Sequence, residues 1–177
     1  MRLEPLEPRH EEPLWQVAQD ERTWHWMKVR GHESRERFHE YVVGVLEHAL
    51  GFATVVDGVP LGATSYLNVR EADRVLEIGH TWLAPQTWGT GANTEAKFLL
   101  MQHAFEDEGF LRVEFKTDAR NERSRAALAA LPAEFEGIFR KHMLVRGGER
   151  RDSAWYAVVD DDWPAVKASL LRRLGRA

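Results

Sequence analysis

The chain contains no cysteine. That excludes a disulfide framework, a thiolate nucleophile and any cysteine-ligated metal site, and it suits a reducing compartment. It also lacks an apolar run approaching the ~20 residues that a membrane-spanning helix needs. Its opening residues, Met1-Arg2-Leu3-Glu4-Pro5-Leu6-Glu7, have none of the apolar character of a signal segment. The expectation is a cytoplasmic protein with no membrane partner. A basic surplus is missing as well: 24 Lys and Arg against 28 Asp and Glu give a net charge of -4, which weighs against a nucleic-acid partner. There is no repeat, low-complexity tract or linker. The eight histidines show no metal-ligand spacing; His25, His32, His39 and His48 read as scattered surface residues, and no metal is expected. What remains is an ordinary globular balance, 44% apolar and 29% charged over 177 residues, enough for one domain spanning 1–177.

Periodicity orders the elements. A helical pattern covers Glu11–Asp20. A second covers Arg35–Leu50, with Ser34 as its N-cap and Phe38, Val42, Val45, Leu46 and Leu50 on one side. Phe52–Val56 and Ala63–Val69 read as a hairpin across Asp57-Gly58-Val59-Pro60. Val75–Leu83 is a strand, Lys97–Glu108 a helix ending at Gly109, and Arg112–Thr117 a half-buried strand. Asn121 caps a helix running to Leu131, stopped by Pro132. Phe135–Leu144 and Ala154–Val159 are strands about a polar turn, and Asp160–Pro164 opens a last helix.

Between the strand Val75–Leu83 and the next helix lies Gln86-Thr87-Trp88-Gly89-Thr90-Gly91-Ala92-Asn93-Thr94-Glu95-Ala96. Two glycines remove side chains where the loop turns, leaving backbone N–H groups and a helix N-terminus to face an anion, best matched by phosphate. No Gly-Lys-Ser/Thr follows, so this is not the Walker pattern, and the third glycine of a dinucleotide loop is missing.

Three segments taken together carry a resemblance. They are Glu77–Leu83 leading into Gln86–Ala96; Arg112–Asp118 followed by Asn121-Glu122-Arg123-Ser124; and Phe135-Glu136-Gly137-Ile138-Phe139-Arg140-Lys141-His142. In this order and at these distances they resemble the GNAT superfamily of N-acyltransferases, and within it the RimJ/RimL type, the ribosomal-protein N-terminal acetyltransferases. Leu131-Pro132-Ala133 departs from the Leu-Gly-Ala common in relatives. The resemblance implies an α/β (α+β) fold: a mixed, twisted sheet split between its fourth and fifth strands and flanked by helices. It also implies acetyl-coenzyme A as cofactor, an amine as acceptor, and direct attack in a ternary complex. Gln86, Trp88, Gly89, Thr90, Gly91, Ala92, Asn93 and Thr94 would then cradle the pyrophosphate, with the amides of Trp88 to Asn93 as donors. Leu83 would offer backbone groups to the pantetheine arm, Asn121 a hydrogen bond to it, and Ser124 a proton to the leaving thiolate. A homodimer is left open.

Other roles have two readings each. Glu77, His80 and Asp152 are candidate general bases. Glu77 is equally readable as a solvated strand-end carboxylate, and alternation puts His80 on the face opposite Glu77 and Leu83. Trp24, Trp26 and Met27 are either an acceptor-side grip or core aromatics. Ser124 is either a proton donor or a surface serine. The basic run Arg140, Lys141, His142, Arg146, Arg150 and Arg151 is either solvated or an attractor for an acidic acceptor or the 3′-phosphate. A non-catalytic acyl-coenzyme A sensor, or transfer of a larger acyl group such as succinyl, stands beside acetyl transfer.

Overall fold

The computed structural model describes residues 1–176; the last residue of the expected domain, Ala177, lies outside the described residues. The chain divides into two compact units, one of Met1–Leu67 with Gly79–Ala96, the other of Asn68–Ile78 with the chain from Lys97 on. Its strands are β1 (Arg2–Pro5), β2 (Leu50–Val56), β3 (Val59–Arg70), β4 (Val75–Leu83), β5 (Arg112–Asp118), β6 (Glu134–Val145) and β7 (Glu149–Val159). Its helices are α1 (Glu11–Val17), α2 (Glu21–Trp24), α3 (Arg35–His48), α4 (Ala92–Gln102), α5 (Glu122–Ala129) and α6 (Trp163–Arg173). The seven strands pair in the order β1-β2-β3-β4-β5-β7-β6, with β3 and β4 running through both units. β4 and β5 are parallel, in register from Val75–Glu77 against Arg112–Glu114; β1-β2, β2-β3, β5-β7 and β6-β7 are antiparallel. This is a mixed α/β sheet, as expected.

In the first unit the hairpin turn is Asp57-Gly58, with φ of 50° and 83°, the left-handed pair that matches the twist of two antiparallel strands. The Ser34 hydroxyl accepts from the Arg37 N–H and starts α3, whose buried face carries Phe38, Tyr41, Val42 and Val45. These side chains pack with Leu14, Ala18, Trp24, Ala53, Val55, Ala63 and Trp82. Trp24 lies 5.2 Å from Trp82 and 5.3 Å from Tyr41, ring centroid to ring centroid, and the Trp82 indole donates to the Tyr41 hydroxyl at 3.0 Å. Each such aromatic pair adds about 0.5–1.5 kcal/mol beyond area burial.

The helix expected over Glu11–Asp20 is interrupted. α1 ends at Val17, and Asp20 caps a new turn, α2, by accepting from the Arg22 N–H. The helix expected from Lys97 begins five residues earlier, at Ala92, directly after the glycine loop.

In the second unit β7 pairs with β5 from Val159 opposite Arg112 to Ser153 opposite Asp118, and with the edge strand β6 on its other side. α4 passes into a π turn over His103–Asp107 before Gly109, at φ 66°, ends it. Trp163 of α6 stacks on Phe98 and Phe105 and donates its N–H to Glu106 at 2.7 Å.

Candidate active site

The glycine loop belongs to the first unit. Gly89 and Gly91 have φ of 77° and 86°, values that L side chains resist, so glycine at both positions is a backbone requirement. The loop is tied down from within. The Trp88 N–H donates to Pro85 O at 3.0 Å, the Thr90 N–H to Thr87 O at 3.3 Å, and the Thr90 hydroxyl to Thr87 O at 2.7 Å. Trp88 also lies under the Arg22 guanidinium, 5.4 Å from its ring centre. The N–H groups of Gly89, Gly91, Asn93 and Thr94 have no acceptor among the described residues. The donor set therefore differs from the expected run of Trp88 to Asn93: the Trp88 and Thr90 amides close the turn, while Gly89, Gly91 and the first turn of α4 supply free N–H groups. Ala92 and Glu95 engage Thr90 Oγ1 and Gly91 O. Asn93 Oδ1 is buried without a donor among the described residues. Gln86 is exposed beside the loop and Thr94 half-buried.

β4 feeds this loop and breaks its own alternation. His80 sits at φ 49° inside the strand and is exposed, so parity counted across it from Glu77 to Leu83 does not hold. A left-handed non-glycine residue inside a strand stores strain of the kind that clusters at functional sites. Leu83 is buried and its carbonyl accepts the Trp88 indole N–H at 2.9 Å, so that oxygen is already engaged. Gly62 of β3 lies so close to Trp82 and Leu83 that a Cβ would stand 2.3 Å from Trp82 O, fixing the end of β4.

Of the expected acceptor residues, Trp24 is corrected. It is fully buried, its N–H is spent on Ala18 O at 2.7 Å, and it has no face left for a ligand. Trp26 and Met27 are half-buried; Trp26 meets His25 edge-on, and Met27 packs against the core.

The second unit holds the remaining candidates. Asn121 Oδ1 accepts from the Ser124 N–H at 3.1 Å and caps α5, and its amide nitrogen donates to nothing among the described residues. The cap orients the side chain and still leaves a donor for a ligand. Ser124, half-buried one turn on, has a hydroxyl without a partner among the described residues. Asp152 is exposed and accepts the Lys141 N–H.

Glu77 is not a solvated carboxylate. It is 1% exposed, with Oε2 2.6 Å from Lys116 Nζ and 2.8 Å from Asn68 Nδ2. Asn68 reaches it from a left-handed position in β3, φ 48°. Lys116 in turn stands 5.3 Å from the ring centre of Trp155, the residue opposite it on β7. His142 of β6 also meets that ring, centroid to centroid at 5.7 Å, and its Nδ1 lies 3.0 Å from Ser153 Oγ. Burial and the cations Lys116 and Arg151 hold the His142 pKa below its ordinary value, a shift that favours the uncharged ring. Asn68, Lys116, His142 and Ser153 are members of this cluster that the sequence did not reveal as one. They sit on four strands, and only register brings them together.

The basic run also separates. Arg140, Lys141 and Arg150 are exposed. Arg146 pairs with Asp118 and Glu149, and Arg151 is buried. Burial of Asp118 would raise its pKa; hydrogen bonds from Arg120 outweigh that and hold it low.

A family model described as an acetyltransferase (GNAT) domain matches residues 1–133. Among solved structures, a protein from T. thermophilus provisionally assigned as an acetyltransferase is 36% identical; the match covers 98% of this chain and 93% of that one, with a TM-score of 0.91. A GCN5-related N-acetyltransferase from Brucella melitensis is 32% identical over 97% of this chain and 80% of its own, with a TM-score of 0.91. Mycobacterium smegmatis RimJ, solved with CoA-disulfide, shares the fold at 24% identity, with a TM-score of 0.82 over 98% of this chain and 88% of its own. The curated proteins gave no match. No described helix is long and apolar enough to cross a membrane.

Proposed function

This chain belongs to the GNAT acetyltransferase family, whose members transfer an acyl group from an acyl-coenzyme A, and we propose that its own reaction is acetylation of a primary amine, by direct attack, within one cytoplasmic domain. The amine nitrogen forms the new bond to the thioester carbonyl carbon. The carbon–sulfur bond breaks, and coenzyme A leaves as thiolate. The observation that carries this reading is the loop at Gly89 and Gly91, whose free amides open a helix and suit a diphosphate. Asn121 Nδ2 is proposed to donate to the pantetheine arm. Ser124 is proposed to protonate the departing thiolate, an assistance worth ~10²-fold or more in rate. Glu77, tied to Lys116, is proposed to take the proton of the attacking ammonium through water. With no cysteine in the chain, transfer without an acyl-enzyme thioester is the simplest chemistry.

Calorimetry with coenzyme A, followed by thiol release from acetyl-coenzyme A across an amine panel, tests the reading. Binding together with amine-dependent thiol release is expected. Tight binding with no turnover on any amine makes the protein a sensor, and faster turnover of succinyl- than acetyl-coenzyme A moves the donor.

A further inference from the structure

The cluster around Ser153 has more donors than its own acceptors can satisfy. Arg151 is 8% exposed, and its one hydrogen bond among the described residues is from Nε to Ser153 Oγ at 3.1 Å. It has no carboxylate within 4.0 Å among the described residues. The carboxylates nearest in effect, Asp118 and Glu77, are already committed: Asp118 to Arg120 and Arg146, Glu77 to Lys116 and Asn68. Burial pulls the Arg151 pKa down, as expected of a desolvated cation with too little counter-charge.

Ser153 is fully buried, so its hydroxyl proton needs an acceptor, and among the described residues His142 Nδ1, 3.0 Å away, supplies one. Arg151 Nε–H donates to Ser153 Oγ, Ser153 donates to His142 Nδ1, and the proton of the neutral ring lies on Nε2. His142, half-buried, therefore presents a donor. The neighbouring Trp155 indole N–H is buried with no acceptor among the described residues. Guanidinium, imidazole N–H, indole N–H and the Lys116 ammonium make up a cluster of donors, in which Glu77 is the one carboxylate among the described residues and is already taken by Lys116 and Asn68.

We propose that Arg151, with His142 beside it, binds a carboxylate of the acceptor, so that the amines this protein acetylates carry a carboxylate group. This rests on the acetyltransfer reading above and narrows its substrate class. An oxyanion supplies what the cluster lacks: a counter-charge for a buried arginine and acceptors for unspent N–H groups, in the planar two-oxygen form that a guanidinium fork matches. The exposed ring of Phe139 (52%) on β6, 5.0 Å from the Trp155 ring and 5.7 Å from that of His142, offers an apolar contact beside the cluster for the rest of such a molecule.

The test compares matched pairs of acceptors with acetyl-coenzyme A: free glutamate and alanine against their primary amides for an α-carboxylate, and an N-terminal Glu dipeptide amide against its Gln counterpart for a side-chain one. The carboxylate member of at least one pair should have a kcat/KM about tenfold or more above its partner. Arg151→Gln should bring the two within about threefold, mainly through KM, and Arg151→Lys, which keeps the charge and loses the fork, should fall between. Equal use of both members of every pair by the wild type overturns the proposal, as does an equal loss on acid and amide in Arg151→Lys. Should no amine be turned over, the acetyltransfer reading fails separately. The anion site is then judged by titrating millimolar glutarate into the protein and following the Trp155 indole N–H by NMR. A shift in the wild type that Arg151→Lys weakens supports the site, and a resonance that does not move overturns it.

Discussion

Replacing Gly89 by alanine separates backbone strain from packing. A Cβ at Gly89 would meet nothing within 4 Å, so the substitution adds no clash; its cost is the left-handed φ of 77°. For an L residue that is about 1–2 kcal/mol. In a chain of this length it corresponds to a fall in Tm of about 2–8 °C. Gly58, in the β2–β3 turn, is the matched control, with φ 83° and equally open surroundings. Gly58→Ala should lower Tm similarly and leave coenzyme A affinity untouched. Gly89→Ala should do more, because relaxing the strain turns the peptide whose N–H is one of the unengaged donors of the loop. Losing one hydrogen bond to a charged phosphate oxygen costs about 1.5–3 kcal/mol, roughly a 10- to 150-fold weaker Kd. Scanning calorimetry on both variants and titration calorimetry with coenzyme A decide it. If Gly89→Ala loses stability like Gly58→Ala yet binds coenzyme A within about threefold of wild type, the loop is only a helix entry and the cradle assignment is wrong.

Three further outcomes follow from the same geometry. Ser124→Ala should lower turnover ~10²-fold with coenzyme A affinity unchanged, since its hydroxyl holds no bond among the described residues; equal turnover reduces Ser124 to a helix residue. Trp24→Ala should cost about 3–5 kcal/mol of stability, as a fully buried ring, whereas Trp26→Ala should leave Tm nearly unchanged and raise the acceptor KM several-fold. A large Tm loss in Trp26→Ala would make it core too. Burial pushes Lys97 from its ordinary value down to about 7. The unfolded chain thus binds the extra proton between that pH and about 10.4, so stability should rise with pH over this window by up to ~1.4 kcal/mol per unit. Lys97→Met should flatten that rise in denaturant titrations at several pH values, and an unchanged slope would show that the group is not desolvated.

Local signals were the most legible part of the sequence. The bounds of β4, the Ser34 and Asn121 caps, the Asp57-Gly58 turn and the Gly109 stop are each set by one or two residues whose backbone preferences leave little choice. β1 was invisible because four residues, Arg-Leu-Glu-Pro, carry too little alternation; pairing with β2 makes them a strand, and Pro5 is tolerated there on an edge. The site was half legible. Spacing identifies Gly89 and Gly91, but which amides stay free depends on how the turn closes. Glu77 is a strand residue from sequence alone, and its burial follows from Lys116, 39 positions away. Trp24 and Trp26 are two residues apart and chemically identical, and only packing makes one core and the other half-buried.

The central claim, direct acetylation of an amine, is tested most directly with acetyl-coenzyme A carrying an isotopic label in the acetyl group and a mixture of amines including carboxylate-bearing ones, with products and intact protein read together by mass spectrometry. Label should appear on an amine nitrogen, in step with thiol release and with none on the protein. Label on the protein ahead of product, or coenzyme A held tightly while every amine stays unlabelled, would contradict it.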